Sequence, residues 1–207
     1  MAHGSRTRLD PERRRAQLVD LGRRMLSSRP LDQVAIDDIA AEAGISRGLL
    51  FHYFPTKRDF HVAVARSAAH DLLARIDAAG PDLPPAERLR AGVEAFVDHV
   101  TANRAAYVAF IRGSGGGDPE LAAIHDDTRA AITERVLDGL AVPRPAPPPV
   151  RAAVRGWVAL AEEVTVDWLA QGGRTAGALA RDEIVALVEQ ALTALVTVAG
   201  GSPPARG

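Results

Sequence analysis

Residues 36 to 57 read IDDIAAEAGISRGLLFHYFPTK, and this stretch decides how the rest of the chain is interpreted. In its first half, apolar residues recur at intervals of three and four while the acidic residues fall on other faces, which predicts a helix. The apolar stripe consists of Ile36, Ile39, Ala40 and Ala43. Gly44 then occupies a position that favours a positive φ at a helix end, and Ser46 suits the N-cap of a second helix. The pattern predicts two short helices joined by a tight turn.

The second helix is predicted over residues 47 to 54 and ends at Pro55, because proline cannot continue a helix. Leu50 and Phe54 lie one turn apart and are expected to be buried. Two helices joined by such a turn have the geometry of a helix-turn-helix, whose second helix enters the DNA major groove by its N-terminal half. The exposed residues of the second predicted helix are therefore candidates for DNA contact. Those candidates are Ser46, Arg47, Gly48, Leu49, His52 and Tyr53. Arginine can reach phosphate or guanine, and leucine can touch a thymine methyl group.

Lys57 is the only lysine in the chain, whose other basic residues are all arginine. Thr56 and Asp59 fit a capping box, which places Lys57 in the first turn of a third helix. A compact ammonium group at a helix N-terminus suits a point contact with phosphate. We therefore predict that Lys57 binds the DNA backbone, the alternative being a lysine with no special role.

The stretch closely resembles the DNA-binding domain of the TetR family, the tetracycline-repressor-like regulators of bacteria. The resemblance rests on Ile39-Ala40, Ala43-Gly44-Ile45-Ser46, Arg47-Gly48, Leu50, Tyr53-Phe54-Pro55 and Lys57. Three residues depart from the family pattern: Ala35 stands where threonine is usual, Leu49 where threonine or serine is frequent, and Phe51 where tyrosine is usual. Each departure removes a hydroxyl group that could hold DNA, and Leu49 is expected to change which bases are read.

The resemblance implies an all-α fold, with an N-terminal three-helix DNA-binding domain followed by a larger helical domain for ligand binding and dimerisation. We predict the DNA-binding domain over residues 9 to 58, with its helix-turn-helix at about 35 to 54. The effector-binding and dimerisation domain is predicted over residues 59 to 199. Residues 1 to 8 and 200 to 207 are expected to be disordered.

Glycine and proline set the predicted helix boundaries of the second domain. A long helix is predicted from Thr56 to about residue 79, and a short one over about residues 104 to 112, where the run from Gly113 to Gly117 breaks it. The proline-rich residues 143 to 149 predict an extended connection. Two final helices are expected at about residues 150 to 171 and 181 to 199.

By resemblance, the helices between residues 84 and 171 enclose an effector pocket. The candidate lining residues are Phe96, His99, Tyr107, Phe110, His125, Trp157 and Trp168. For the aromatic residues the alternative is ordinary core packing, and for the two histidines it is a surface position or an internal hydrogen bond. The scarcity of charge on the inward faces favours an apolar or amphipathic ligand.

The last helix is apolar on more than one face, so it has more surface to bury than the core of one monomer requires. The family dimerises through its last two long helices, and the resemblance therefore implies a four-helix bundle with a second copy. The predicted interface residues are Val154, Val158, Ala161, Thr165, Val188, Leu192, Leu195 and Val196.

Composition argues against several classes of function. The chain has no cysteine, which rules out thiolate chemistry and agrees with a reducing compartment. Its six histidines show no metal-ligand spacing, so no metal and no cofactor are predicted. No apolar run has the length of a membrane span and no signal peptide is evident, so we expect a cytoplasmic protein with no membrane partner. Residues 1 to 60 carry 11 basic and 8 acidic side chains, whereas the remainder carries 14 and 18, which favours DNA at one end.

We therefore predict that the chain is not an enzyme but a homodimeric, ligand-responsive transcriptional repressor that binds a pseudo-palindromic operator. Its partners would be double-stranded DNA, a second copy of itself and an unknown small-molecule effector. The two recognition helices would lie about one DNA turn apart, roughly 34 to 36 Å. The alternatives are an enzyme acting on a small molecule, and a helical ligand- or partner-binding protein whose helix-turn-helix does not bind DNA.

Overall fold

The computed structural model describes residues 10–28, 34–80, 82–115, 117–140, 142–171 and 179–200. Every regular element within these ranges is an α-helix, which confirms the all-α fold. The helices are α1 (Pro11–Ser28), α2 (Ile36–Glu42), α3 (Arg47–Tyr53), α4 (Lys57–Ala78), α5 (Pro85–Ala102), α6 (Arg104–Gly115), α7 (Pro119–Gly139), α8 (Pro148–Ala170) and α9 (Arg181–Val198). The disorder predicted for residues 1 to 8 and 201 to 207 lies outside the described residues, and Gly200 is described as part of a turn. None of the described helices is long and apolar enough to cross a membrane.

The first three helices and the start of α4 enclose a small hydrophobic core, here called the head core. Its buried members are Leu18, Val19, Val34, Ile39, Ala40, Leu50, Phe54, Phe60 and Val64. The rings of Phe54 and Phe60 meet edge to face, with centroids 5.0 Å apart. At Gly22 an added Cβ would lie 2.6 Å from the Phe60 ring, so only glycine allows α1 to approach α4 this closely. The head core therefore fastens the start of α4 to α1.

A second and larger core, here called the body core, lies among α5, α7, α8, α9 and the later part of α4. Central members with almost no exposed surface are Val97, Val100, Leu137, Val150, Val154 and Leu192. The Trp157 indole N–H donates to the backbone oxygen of Val188 at 2.7 Å, which ties α8 to α9. Leu72 of α4 belongs to this core, whereas Phe60 and Val64 of the same helix belong to the head core. Helix α4 is thus shared by both cores.

Two predicted helix boundaries differ from the structure. Helix α6 continues to Gly115, although the glycine run was expected to end it near residue 112. Each glycine costs a helix only about 1 kcal/mol relative to alanine, and Gly117, the next residue that the structure describes, has a φ of +101°, outside helical geometry. Helix α8 begins at Pro148 rather than near residue 150, since the first turn of a helix needs no backbone N–H from proline.

The residues predicted to pack against a second copy lie inside the monomer instead. Val154, Val158, Ala161, Thr165, Val188, Leu192 and Val196 are all buried by their own chain, and Leu195 is half-buried against the same core. These side chains fill the body core because α8 and α9 also have α5 and α7 to cover. The apolar residues of α9 that stay exposed lie on a different side of the helix from those in the body core. Among them, Leu187 is 45% and Val198 is 88% accessible to solvent.

Candidate DNA-binding surface and interior cavities

The turn between α2 and α3 has the local geometry that the sequence predicts. Gly44 adopts a φ of +62°, in the left-handed region that glycine tolerates best. The Ser46 hydroxyl oxygen accepts a hydrogen bond from the backbone N–H of Leu49 at 3.2 Å and so caps α3. Ala35 is the N-cap of α2 and makes no side-chain cap, as expected from its missing hydroxyl group.

One face of α3 is buried and the other faces solvent. Leu50 and the C-capping Phe54 lie in the head core. The exposed residues are Ser46, Arg47, Gly48, Leu49 and His52, of which Leu49 is 39% accessible. Tyr53 differs from the expectation, since it is half-buried against the head core with its ring edge-on to His52 at 5.4 Å. Its position still leaves part of the side chain at the surface beside the recognition face.

Arg47 has a partner that the sequence did not indicate. Its guanidinium lies 3.2 Å from the Asp37 carboxylate and 5.5 Å from the centre of the Phe51 ring. Both members of the ion pair are more than 60% exposed, so the pair contributes little stability and DNA phosphate can compete for the arginine. Asp37 could not be assigned to Arg47 from the sequence, because the two residues lie ten apart on different helices.

The capping box predicted at the start of α4 is present. The Thr56 hydroxyl oxygen accepts from the backbone N–H of Asp59 at 3.0 Å, and the Asp59 carboxylate accepts from the backbone N–H of Thr56 at 2.9 Å. Lys57 is the first residue of α4 and follows α3 by only three residues. Three residues, Phe54 to Thr56, therefore separate Lys57 from the recognition helix.

Arg58 joins the N-terminal end of α4 to the start of α7. Its guanidinium donates to both carboxylate oxygens of Asp118, at 2.7 and 2.8 Å, and lies 3.2 Å from Glu120. Asp118 is also the N-cap of α7, because it accepts from the backbone N–H groups of Glu120 and Leu121. Arg66, two turns further along α4, pairs with Glu120 at 3.3 Å. We call these four side chains the α4–α7 ion cluster.

The hydrogen bonds from Arg58 are the main reason that the pKa of Asp118 falls from 3.8 to about 2. Because its pKa is lowered by folding, ionised Asp118 stabilises the native state above pH 3.8, and this contribution is lost as the pH falls through about 2. We expect Arg58→Gln to raise the pKa of Asp118 towards 3.8, measured by carboxyl NMR titration. Arg66→Gln is the matched control and should leave that pKa nearly unchanged. Equal shifts in both variants would contradict the assignment to Arg58.

The larger of two cavities has a volume of about 460 Å³; residues of the body core form much of its wall, and the exposed residues Asp77, Arg88 and Asp138 also line it. Two of the predicted ligand-binding residues, Phe96 and Trp157, line it. Most of the remaining wall is aliphatic and comes from α4, α5, α7, α8 and α9. The charged residues on the wall are Asp77, Arg88, Arg135, Asp138 and Glu162. Asp77 and Arg135 satisfy each other through two hydrogen bonds of 2.6 and 2.7 Å.

The smaller cavity, of about 110 Å³, lies nearer the head and collects four further candidates. These are His99, Tyr107, Phe110 and His125. His99 is buried 3.8 Å from Asp71, and burial lowers its pKa. Trp168 lines neither cavity. It is buried, and its indole N–H donates to the backbone oxygen of Leu179 at 2.7 Å. The structure therefore divides the predicted pocket into two parts and leaves Trp168 in the core.

Glu162 is the polar residue that both cavities share, and the sequence analysis did not select it. One carboxylate oxygen accepts from the Tyr107 hydroxyl at 3.2 Å and lies 3.0 Å from His125 Nε2, while the other pairs with Arg129 at 3.3 Å. Burial and the nearby carboxylate raise the pKa of Tyr107 well above its usual value. The sequence did contain a signal that could have identified Glu162, because this acidic residue interrupts the apolar stripe formed by Val158, Ala161 and Thr165 on α8.

Nowhere in the described part of the chain do three or more histidine or acidic side chains converge on a possible metal site. The features that the structure does present are an exposed recognition helix and two cavities behind it. This combination defines the class of helix-turn-helix transcriptional regulators with a helical sensor domain.

Comparison with known proteins gives the family. Residues 18 to 64 match the family model of the tetR family of bacterial regulatory proteins, and residues 85 to 196 match that of the tetracyclin repressor-like C-terminal domain. The chain therefore belongs to the TetR family, and it is a DNA-binding transcriptional regulator rather than an enzyme.

Two curated relatives come from Mycolicibacterium smegmatis. The HTH-type transcriptional repressor LfrR is 36% identical over 140 residues, which cover 67% of this chain and 70% of LfrR. The HTH-type transcriptional activator FasR is 28% identical over 132 residues, which cover 63% of this chain but only 60% of FasR.

Two solved structures are similar over most of the chain. A tetR-family regulator from Streptomyces coelicolor is 31% identical, with a TM-score of 0.79 and coverage of 93% of this chain and 84% of that one. LfrR in complex with proflavine is 30% identical, with a TM-score of 0.59 and coverage of 89% and 97% respectively. Both similarities extend across the head and the body.

Proposed function

We propose that this regulator is a ligand-responsive repressor that binds a pseudo-palindromic operator as a homodimer. The observation that carries the proposal is the position of α4. It begins at Lys57, three residues after the recognition helix, and its first turns pack in the head core through Phe60 and Val64. Residues further along it line both cavities, among them Leu72 in the smaller and Ile76 in the larger. A ligand in either cavity thus touches the helix that begins at the DNA surface.

On the operator, the exposed face of α3 would enter the major groove. Arg47 would exchange Asp37 for a phosphate or a guanine edge, and Leu49 would meet thymine methyl groups. Ser46, Gly48, His52 and the exposed part of Tyr53 complete the proposed contact surface. Lys57 would bind a phosphate next to the groove and fix the position of α3 along the backbone.

The relatives bear on the direction of regulation and on the ligand. LfrR, the more similar of the two by identity, is a repressor, whereas FasR is an activator. LfrR has also been solved with proflavine, which supports a helical body that holds an organic ligand. The aliphatic and aromatic wall of the larger cavity supports an apolar or amphipathic effector in this chain.

The proposed dimer uses the outer sides of α8 and α9 rather than the residues that fill the body core. Four apolar residues on α9 follow the 4-3-4 spacing of a helix-packing seam and are exposed or half-exposed, namely Leu187, Ala191, Ala194 and Val198. The outward side of α8 offers small residues that allow close approach, namely Ala152, Gly156 and Ala159. Pairing these surfaces across a two-fold axis gives a four-helix bundle.

Ala194→Glu is expected to shift the protein from dimer to monomer, because it places one charge from each copy in the apolar seam. Sedimentation equilibrium at several protein concentrations measures the dissociation constant, which should rise at least about tenfold. Thr193→Glu adds the same charge on the adjacent, polar side of α9 and should leave the dimer intact. A dimer that is equally stable in both variants would place the interface elsewhere.

The function is tested by fluorescence anisotropy of the purified protein on DNA from upstream of its own gene, against scrambled DNA, across a salt series. We expect specific binding, with a slope of log K against log salt of about −0.9 for each phosphate contact. Equal affinity for both DNA fragments at every salt concentration would argue against an operator in this region. Absence of DNA binding altogether would favour the alternative of a partner- or ligand-binding protein.

A further inference from the structure

We propose that the effector is an amphipathic organic anion whose carboxylate binds Arg88 at the rim of the larger cavity while its apolar body fills the cavity interior. The proposal deepens the ligand response proposed above and rests on it. It commits to one chemical class, a monocarboxylate on an apolar body.

The larger cavity has a charged rim and an apolar interior. The rim lies where α4 and α7 end and α5 begins, and it carries the exposed residues Asp77, Arg88 and Asp138. The interior wall is formed by buried side chains of α5, α8 and α9, among them Val93, Phe96, Trp157, Val158 and Leu192. A cavity that opens to solvent at a charged end and is apolar at the other suits a ligand with one polar head group and an apolar body.

The charges on the wall decide the sign of the head group. Arg88 is exposed and makes no ion pair with any residue that the structure describes. The other charged residues of the wall each have a partner of opposite sign, in the pairs Asp77–Arg135, Asp138–Arg144 and Glu162–Arg129. The wall therefore carries an excess of one positive charge, which favours an anionic head group over a cationic one.

The Arg88 guanidinium lies beside the end of α7. A Cβ added at Gly139, the last residue of that helix, would be 3.6 Å from Arg88 Nη2. The C-terminus of a helix carries a partial negative charge, and α7 has no basic residue of its own in its last turn. The helix end thus attracts the guanidinium to the rim but compensates only part of its charge. The planar fork of an arginine can then bind a carboxylate through two parallel hydrogen bonds.

A carboxylate bound at Arg88 would also act on α4. The ion pair of Asp77 and Arg135 lies on the same wall and joins α4 to α7 through two hydrogen bonds of 2.6 and 2.7 Å. An anion on the rim would repel Asp77 and attract Arg135, which weakens this link between the two helices. Because α4 begins three residues after the recognition helix, a ligand that prefers the altered arrangement lowers affinity for the operator by linkage.

The test uses isothermal titration calorimetry with three probes that share one tail and differ in the head group: octanoate, octanol and octylammonium. We expect the unmutated protein to bind octanoate about fivefold to thirtyfold more tightly than octanol, and octylammonium least well. The preference for octanoate should shrink as the salt concentration is raised, because Arg88 is exposed and salt screens exposed charges.

Two variants of Arg88 test its role. Arg88→Gln removes the charge and should abolish the preference for octanoate over octanol, whereas Arg88→Glu reverses the charge and should make octylammonium the tightest of the three probes. Arg104→Gln is the matched control. Arg104 is also exposed and makes no ion pair with any described residue, but it lines neither cavity, so this variant should retain the preference for octanoate.

Equal binding of the three probes to the unmutated protein, no binding of any of them, or tightest binding of octylammonium would overturn the proposal without any variant having to fold. A preference for octanoate that persists in Arg88→Gln would overturn the role of Arg88. Operator release is measured separately by anisotropy with the same probes. Preferential binding of octanoate without release from DNA would contradict the proposed ligand response and leave the selectivity of the cavity established.

Discussion

Phe54→Ala is expected to lower the free energy of unfolding by about 3 to 5 kcal/mol, the usual cost of removing a buried phenylalanine ring. Phe54 is almost fully buried and contacts Phe60 edge to face. The Arg15 guanidinium lies 4.9 Å from the centre of the Phe54 ring. The substitution leaves a cavity at the point where α3 and α4 meet α1. Urea denaturation followed by far-UV circular dichroism, at a fixed protein concentration, measures the loss.

Phe51→Ala is the matched control, because it removes the same ring three residues earlier, at a half-buried position of α3. We expect this variant to lose about 1 kcal/mol. A comparable loss in the two variants would mean that Phe54 does not anchor the recognition helix to the head core. Loss of operator affinity in Phe54→Ala at temperatures where the protein is still folded would show that α3 needs this anchor to hold its orientation.

Gly48→Glu is expected to weaken operator binding at least about a hundredfold while leaving the fold intact, because a negative charge would face the phosphates of the groove. A Cβ at Gly48 meets no atom within 4 Å, so the side chain has room. Glutamate also favours the helix and suits its first turn. Anisotropy on the operator and thermal unfolding of the same samples measure the two effects.

The control for Gly48→Glu is Ala74→Glu, which adds the same charge at an exposed position of α4 in the body. It should change operator affinity by less than about threefold, since exposed charges beyond a Debye length are largely screened. A hundredfold loss in both variants would point to net charge rather than to contact. Unchanged affinity in Gly48→Glu would remove the N-terminal half of α3 from the DNA interface.

The head could be predicted from the sequence because its structure is set by local rules. The positive φ of Gly44, the cap of Ser46 and the capping box of Thr56 and Asp59 each depend on residues within a few positions of one another. The burial of Leu50 follows from the same short-range periodicity. Each of these features was confirmed at the residue where the pattern placed it.

The body was predictable only in outline, because its important contacts join residues far apart in sequence. The bond between Arg58 and Asp118 spans 60 residues, and the bond between Tyr107 and Glu162 spans 55. The dimerisation residues predicted from the sequence show a different limit of sequence-based prediction. Helix α9 has two adjoining apolar sides, and periodicity alone does not tell which of them its own chain will cover. Packing against α5 and α8 decides that Leu192 is buried and Leu187 is not.

The close contact at Gly22 has a consequence for how far the DNA-binding ends can travel. Because close packing holds α1 against the beginning of α4, we expect the head to move together with α4 as one rigid unit. Helix α4 has 22 residues and is therefore about 33 Å long. A tilt of about 5° about its cavity end would carry the tip roughly 3 Å, close to the rise of about 3.4 Å per base pair along the DNA axis. In the proposed homodimer the two displacements would add, so a small rotation inside each sensor domain would move the two recognition helices out of register with consecutive major grooves.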